Sequence, residues 1–393
     1  MKTCLVSLVS DQTIPNIIVT MHFRPDYLLL ISTDLMEKRG KSQAILDTLA
    51  KRGLDYSHAC NTIQVGENSI VDLQNKVTQW LSQRPEEYHF IVNLTGGTKL
   101  MSIAAYDLFT DFGSEMVYVP IPKNEYLMPF PKRRPKEPVP LIERLSVAEY
   151  LTAYCLKITN EAQLDGYATQ IDARKETTLF LYNRYLDVRP LLKWFGDLLR
   201  PIKKNALKKG YRFSNRFQAK NESQKQLLSM LGFDHMGEEV SKTIHESEWN
   251  YLRGGWLEER LFLAVRSVLP PSADIQIGIQ VQDLHGNRNE FDVIFTCENV
   301  LYLIECKSLG APESGEQEGA ATINAFLYKL GALRQRFGLT PKAFLATTSE
   351  DVLDNHGSVK AHLVERGRQF GIQIIPLLKV PDLEAYFADL KSR

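Results

Sequence analysis

From Lys2 to about Pro122, short apolar runs alternate with stretches whose apolar residues recur at helical spacing. The runs KTCLVSLVS, DYLLLIST, SHACNTIQV, HFIVNL and EMVYVPI have the length and continuous apolar character of strands buried on both faces. Between them, KSQAILDTLAKRG, NSIVDLQNKVTQWLSQR and TKLMSIAAYDLFTDFG show the periodicity of amphipathic helices. Strands alternating with helices imply an α/β fold with a mostly parallel sheet covered on both faces, a Rossmann-like layer architecture. Ligands of such sheets sit at the carboxyl ends of the strands.

This pattern spans residues 1–122 and then breaks. The stretch PIPKNEYLMPFPKRRPKEPVP holds seven prolines in 21 residues, which neither a helix nor a central strand accepts, so a linker is expected over 123–145. Residues 146–245 carry mainly helical patterns (SVAEYLTAYCLKI, LLKWFGDLLR, ESQKQLLSML) and read as a helical connecting region. A last domain over 246–393 opens with the amphipathic helix GGWLEERLFLAVRSVL. The strand-like runs DIQIGIQVQDL, NEFDVIFTC and LYLIECKS follow, then helix, strand, helix and strand, an αβββαβ order with additions.

Composition narrows the class without choosing a function. A chain of 393 residues is long enough for two or three domains, each with its own core. Lys plus Arg and Asp plus Glu are 47 each, so no net field favours nucleic acid, membrane or any charged partner. Hydrophobic content of 44% and charged content of 24% exclude a mainly disordered chain. No run approaches the ~18 apolar residues of a membrane span, and MKTCLVSLVSDQT turns polar too soon for a signal peptide. A cytoplasmic protein without membrane contact is expected. The five cysteines form no Cys-x-x-Cys pair, which suits a reducing compartment and argues against a zinc ribbon.

The last domain carries the clearest chemistry. Alternation along NEFDVIFTC sets Asp292 on the side of Glu290 and Ile294, and along LYLIECKS it sets Glu305 and Lys307 on one face and Cys306 on the other. Two carboxylates and a lysine then converge across a hairpin. That set suits metal-assisted phosphodiester cleavage. Carboxylates and the backbone carbonyl of Cys306 hold a hard divalent cation that lowers the pKa of a bound water, and the lysine orients that water or faces the developing charge. Mn²⁺ and Mg²⁺ both accept such oxygens. In the preceding helix Glu258 shares its stripe with Leu261, Phe262 and Val265, whereas Glu259 lies nearer Arg266, so Glu258 is the expected further ligand. With Glu258, Asp292, Glu305 and Lys307 at the motif positions, this domain resembles the PD-(D/E)xK nuclease superfamily, Phe291-Asp292 standing where Pro-Asp is usual.

In the first domain, the strand HFIVNL runs into Thr95-Gly96-Gly97-Thr98-Lys99, which opens a helix. Two glycines at a helix start expose backbone N–H groups, the threonine hydroxyls add donors and Lys99 adds charge, so the turn is suited to a phosphate. It lacks the Walker A spacing, and no Gly-x-Gly-x-x-Gly follows the first strand. That strand ends instead in Ser10, Asp11, Gln12 and Thr13, side chains suited to reading a base or ribose.

Both halves together resemble the CARF-domain CRISPR ancillary nucleases of type III systems, with an N-terminal CARF domain and a C-terminal PD-(D/E)xK domain. The resemblance implies a homodimer whose paired CARF domains bind a cyclic oligoadenylate, most often cyclic tetra-adenylate, and so activate metal-dependent cleavage of DNA, RNA or both in antiviral defence. The ligand loops it implies are Ser10 to Thr13 and Thr95 to Lys99. Two other readings stay open: a ligand-responsive nucleic-acid-binding regulator that does not cut, and a ring nuclease degrading the ligand through Ser10 or Lys99.

Other features are less specific. Arg200 to Lys220 holds eight Lys or Arg with Tyr211, Phe213 and Phe217 interleaved, a pattern that can track a phosphate backbone and stack bases or simply form a solvated face. Tyr328, Lys329 and Arg334 are candidates to touch substrate phosphates. Arg84 and His89 have the Arg-x-x-x-x-His spacing of HEPN ribonucleases, but the span crosses Pro85 and enters a strand, so it reads as coincidence.

Overall fold

The computed structural model describes residues 1–84, 87–129, 137–308, 320–338 and 340–389. Its first sheet is built from β1 (Lys2–Leu8), β2 (Tyr27–Ser32), β3 (Cys60–Gln64), β4 (Tyr88–Asn93) and β5 (Glu115–Val117). All are parallel, in the order β3-β2-β1-β4-β5. The helices are α1 (Ile14–Phe23), α2 (Asp34–Lys38), α3 (Lys41–Lys51), α4 (Ile70–Ser82) and α5 (Lys99–Thr110). Alternation divides the strand residues between two cores. Leu5, Leu28, Leu30 and Ile91 pack with α1 and α3, while Val6, Leu8, Leu29 and Val92 pack with α4 and α5. Both faces are covered, which is why the strands read as unbroken apolar runs. The strand order reverses between β1 and β4, so the loops after these two strands flank the crevice where ligands of open α/β sheets bind.

The proline-rich stretch is held rather than free over its described parts. Next come β6 (Glu125–Tyr126) and β7 (Val139–Pro140), which pair as an antiparallel ribbon. Asn124 Nδ2 donates to the Glu298 carbonyl and to its Oε2, both at 2.9 Å, and the Leu145 N–H donates to Asn299 Oδ1 at 2.9 Å. Residues 130–136 of the expected linker lie outside the described residues. α6 (Val147–Ala153) follows and is tied to α3 by the Arg52–Glu149 ion pair.

The connecting region contains β8 (Lys157–Ile158), α7 (Glu161–Ala173), α8 (Lys175–Asn183), α9 (Tyr185–Leu199), α10 (Lys204–Leu207), β9 (Tyr211–Arg216), α11 (Glu222–Met230), β10 (Asp234–Met236), β11 (Glu239–Ile244) and α12 (Glu246–Asn250). The sequence pattern predicts mainly helix here and misses the antiparallel sheet β10-β11-β9. In β9 only Phe213 is fully buried, so the alternation is too weak to mark a strand.

The last domain opens with α13 (Trp256–Val268), then β12 (Asp274–Gln282), β13 (Arg288–Cys297), β14 (Val300–Lys307), α14 (Ala320–Gln335), β15 (Lys342–Thr347), α15 (Ala361–Phe370), β16 (Ile372–Pro376) and α16 (Leu383–Asp389). The expected αβββαβ order is present. Its sheet runs β16-β15-β14-β13-β12-β8, antiparallel from β8 to β14 and parallel from β14 to β16. α13 packs on Val293, Phe295, Ile304 and Cys306, while Ile294, Leu301 and Leu303 join the core beneath α6 and α14. Among the described residues no helix is long and apolar enough to cross a membrane.

Candidate active site and candidate ligand loops

Antiparallel pairing of β13 with β14 reaches Val293 opposite Ile304, and one residue further sets Asp292 across from Glu305. Asp292 Oδ2 accepts the Cys306 N–H at 2.7 Å. Glu305 is 5% exposed, and its Oε1 lies 2.9 Å from Lys307 Nζ and 3.8 Å from Lys329 Nζ of α14. Lys307 Nζ also sits over the Phe326 ring, 4.6 Å from its centroid. A solvent-open cleft is lined by Glu258, Glu290, Cys306 and Lys307.

The two helical glutamates have different fates. Glu259 turns away from the cleft's acidic side and binds Arg174, whose Nε lies 2.9 Å from both carboxylate oxygens. Glu258 faces the other carboxylates. Burial, then Asp292 and Glu290, push the Glu258 carboxyl well above its ordinary value. Burial and then Glu305 push Asp292 up to about 7, against the opposing pull of Lys307 and the Cys306 N–H. Burial works against the charged Lys307, but Glu305 and Asp292 outweigh it and hold its pKa above the usual lysine value. The buried Cys306 thiol is pushed up by burial and by these same acids, so its backbone rather than its sulfur is the chemically usable part.

Mutually repelling, largely buried carboxylates beside this cleft describe a site short of positive charge. Three carboxylates and a backbone carbonyl fit a hard divalent cation by their chemistry. Among the described residues no three acidic, cysteine or histidine side chains already stand in ligand geometry: Asp292 is turned to the Cys306 N–H and Glu305 to Lys307.

The loops after β1 and β4 meet as expected of neighbouring strands. A Cβ on Gly96 would fall 2.1 Å from the Leu8 carbonyl oxygen and 3.4 Å from Ser10 Oγ, and Gly97 has φ +71°, so both glycines are required. The threonines differ from expectation, because their hydroxyls serve the fold. Thr95 donates to Asn93 Oδ1 at 2.6 Å and accepts the Val119 N–H, while Thr98 accepts the Met101 N–H as the α5 cap and donates to the Glu67 carbonyl. Lys99 is exposed at the first turn of α5.

Of the first loop only Ser10 stands beside the glycine turn. Asp11 is bound by Arg39 at 2.7 and 2.8 Å. Gln12 Oε1 accepts from the Tyr154 hydroxyl at 3.2 Å, and its amide occupies the space where Gly338, just beyond α14, would carry a Cβ. The buried Thr13 hydroxyl donates to the Ala153 carbonyl at 2.7 Å. Gln12 and Thr13 therefore face the seam between the two domains.

Elsewhere the structure assigns bland roles. Phe213 is core, and Tyr211 and Phe217 pack partly buried beside it, so the aromatics of the basic stretch are not an open stacking platform. Arg84 stacks over Tyr27 and Trp80, and His89 faces Glu115 on the sheet. Arg334 donates to the Pro341 carbonyl, and Tyr328 packs edge-on against Phe370. Phe326 and Tyr167 also line the cleft, a placement the sequence does not mark, since a lone aromatic on a helix carries no signal of facing a cleft.

Fold and site define a two-part protein, a Rossmann-like sensing domain joined to an endonuclease-type domain. Residues 4–150 match the family model of the Card1 CARF domain, and residues 245–392 match that of the Card1-like endonuclease domain. The chain belongs to the CARF-domain CRISPR ancillary nucleases. No curated protein sequence matches it. Among solved structures it resembles protein VC1899 from Vibrio cholerae (18% identity, TM-score 0.73, 99% of this chain and 97% of that one). It also resembles Can2 from Sulfobacillus thermosulfidooxidans, solved in complex with cyclic tetra-adenylate (20% identity, TM-score 0.71, 99% and 98%). A type III CRISPR defence DNA nuclease activated by cyclic oligoadenylate matches at 14% identity and TM-score 0.55, over 94% of this chain and 52% of that one. At these identities the likeness speaks for the fold.

Proposed function

We propose that this chain is a cyclic-oligoadenylate-activated, divalent-metal-dependent endonuclease of the PD-(D/E)xK type, cleaving DNA, RNA or both in type III CRISPR antiviral defence. The observation that carries this is that Glu258 and Lys307 line one cleft, with Asp292 and Glu305 close enough to act on the Glu258 charge and Glu305 paired to Lys307. Glu258, Asp292, Glu305 and the Cys306 carbonyl would hold Mn²⁺ or Mg²⁺. A cation bound there supplies a water of lowered pKa and neutralises the scissile phosphate. Lys307, kept cationic by Glu305 and Asp292, orients the attacking water and faces the charge that develops on the phosphorus oxygens. Phe326 beneath Lys307 limits where the ammonium can go.

The activator is cyclic tetra-adenylate, the ligand of the Can2 structure. It binds a cytoplasmic homodimer at the Gly96-Gly97 turn and Ser10. Leu100 and Ile103, exposed on α5 directly after that turn, suit the dimer face. Gln12 and Thr13 connect the loop to α6 and to the end of α14, the helix that brings Lys329 and Phe326 to the active site.

Labelled DNA and RNA incubated with Mn²⁺ and cyclic tetra-adenylate test the assignment. Cleavage that Glu305→Ala or EDTA reduces by about a hundredfold or more supports it. Cleavage that survives both would place the chemistry elsewhere.

A further inference from the structure

β12 is distorted where it passes Asp292. Ile277 pairs with Val293 and Ile279 with Phe291, but Gly278 between them has φ +60°. One side chain takes up the backbone groups at this kink. Asn160, 5% exposed, donates from Nδ2 to the Gly278 carbonyl at 2.8 Å and accepts the Gln280 N–H at 2.9 Å. Asn160 directly precedes α7, so this pair of bonds seats α7 on the sheet beside Asp292. Along that helix, Tyr167 Cε2 lies 3.8 Å from where a Cβ on Gly278 would stand. The half-buried ring therefore lines the same cleft as Glu258 and Lys307, on the wall that the connecting region supplies.

Two cations of that wall have acidic partners, while Arg253, which also lines the cleft, stacks over the Trp249 ring 4.2 Å from its centroid. Arg174 binds Glu259, and Lys204 lies 3.4 Å from Glu246. Both already have acidic partners, and the Tyr167 ring adds an uncharged face in the same cleft on which a nucleotide can stack. Stacking is open to any nucleobase, because every base has a π-face.

We infer that Tyr167 is the stacking platform for a nucleobase beside the scissile phosphate, held in place by the Asn160 anchor. This rests on the nuclease reading above. The test uses full-length protein carrying Glu305→Gln, with cyclic tetra-adenylate and Mn²⁺, and fluorescein-labelled DNA and RNA oligonucleotides in which a single abasic position is walked along the strand. With Tyr167 present, one abasic position should weaken binding about tenfold, and Tyr167→Ala should bind about tenfold more weakly and lose sensitivity to that position. Tyr167→Phe, which keeps the ring, should behave as the parent. If Tyr167→Ala binds as tightly as the parent, or keeps the same abasic profile, the stacking role is wrong. Failure of the wild-type chain to bind or cut any oligonucleotide would instead overturn the nuclease reading, and this inference with it.

Discussion

Glu258 shows what the proposed active site costs the fold. Its carboxyl faces Asp292, Glu290 and Glu305 with Lys307 as the counter-charge, an arrangement that repels itself until a cation arrives. Glu258→Gln should therefore abolish metal-dependent cleavage while stabilising the metal-free protein by about 1 kcal/mol, a rise of a few degrees in Tm with EDTA present. An unchanged or lower Tm would mean that the carboxylates are not in conflict. Much of this site was legible in the sequence, since strand alternation and the Glu-x-Lys spacing place Glu305 and Lys307, and the helical stripe separates Glu258 from Glu259. The separation has a physical counterpart, because Glu259 is consumed by Arg174. What the sequence could not reveal was Gln12. Its residue type suits a ligand, but only the packed seam shows its amide against Gly338 and Tyr154.

At the level of elements, the central strands β1, β2, β4, β14 and β15 announced themselves because both of their faces are buried and apolar, whereas the two-residue β8 and the half-solvated β9 to β11 did not. The proline-rich segment is expected as a linker over 123–145, and its described parts are fastened to their surroundings. Prolines remove donors, so a free linker is the natural expectation, yet Asn124 and Asn299 use side-chain amides to fasten the neighbouring chain. The α3–α6 contact is a further tie, and it is sensitive to acid. Burial raises the Glu149 carboxyl, but Arg52 and the Ser146 N–H outweigh it and leave it below the usual 4.5. A depressed folded-state pKa means the contribution is complete above about pH 4.5 and is lost as the pH falls through the folded-state value. Thermal denaturation followed from pH 6 to about pH 3 should show Glu149→Gln less stable than wild type at the upper end, with the two curves converging on acidification. Parallel curves would remove Glu149 from the account.

For the whole molecule, the arrangement of the seam suggests how sensing reaches chemistry. Ser10 lies beside the Gly96-Gly97 turn, Gln12 two residues on touches Tyr154 and Gly338 just beyond α14, and α14 carries Phe326 and Lys329 to the Glu305–Lys307 pair. Ligand-dependent movement of the loop would thus bias α14 between two positions. Gln12→Ala is expected to weaken the response of cleavage to cyclic tetra-adenylate by severalfold more than it weakens ligand binding measured by calorimetry. Equal losses in both would return Gln12 to the ligand site. The most direct test of the central claim is the initial rate of oligonucleotide cleavage with Mn²⁺ as cyclic tetra-adenylate is titrated. Little cutting is expected without the ligand, and a saturable rise of about a hundredfold or more as it binds, since a population shift from 1:99 toward the active state allows that range. A rate that is already full without the ligand, or that never rises although the ligand is bound, would contradict it.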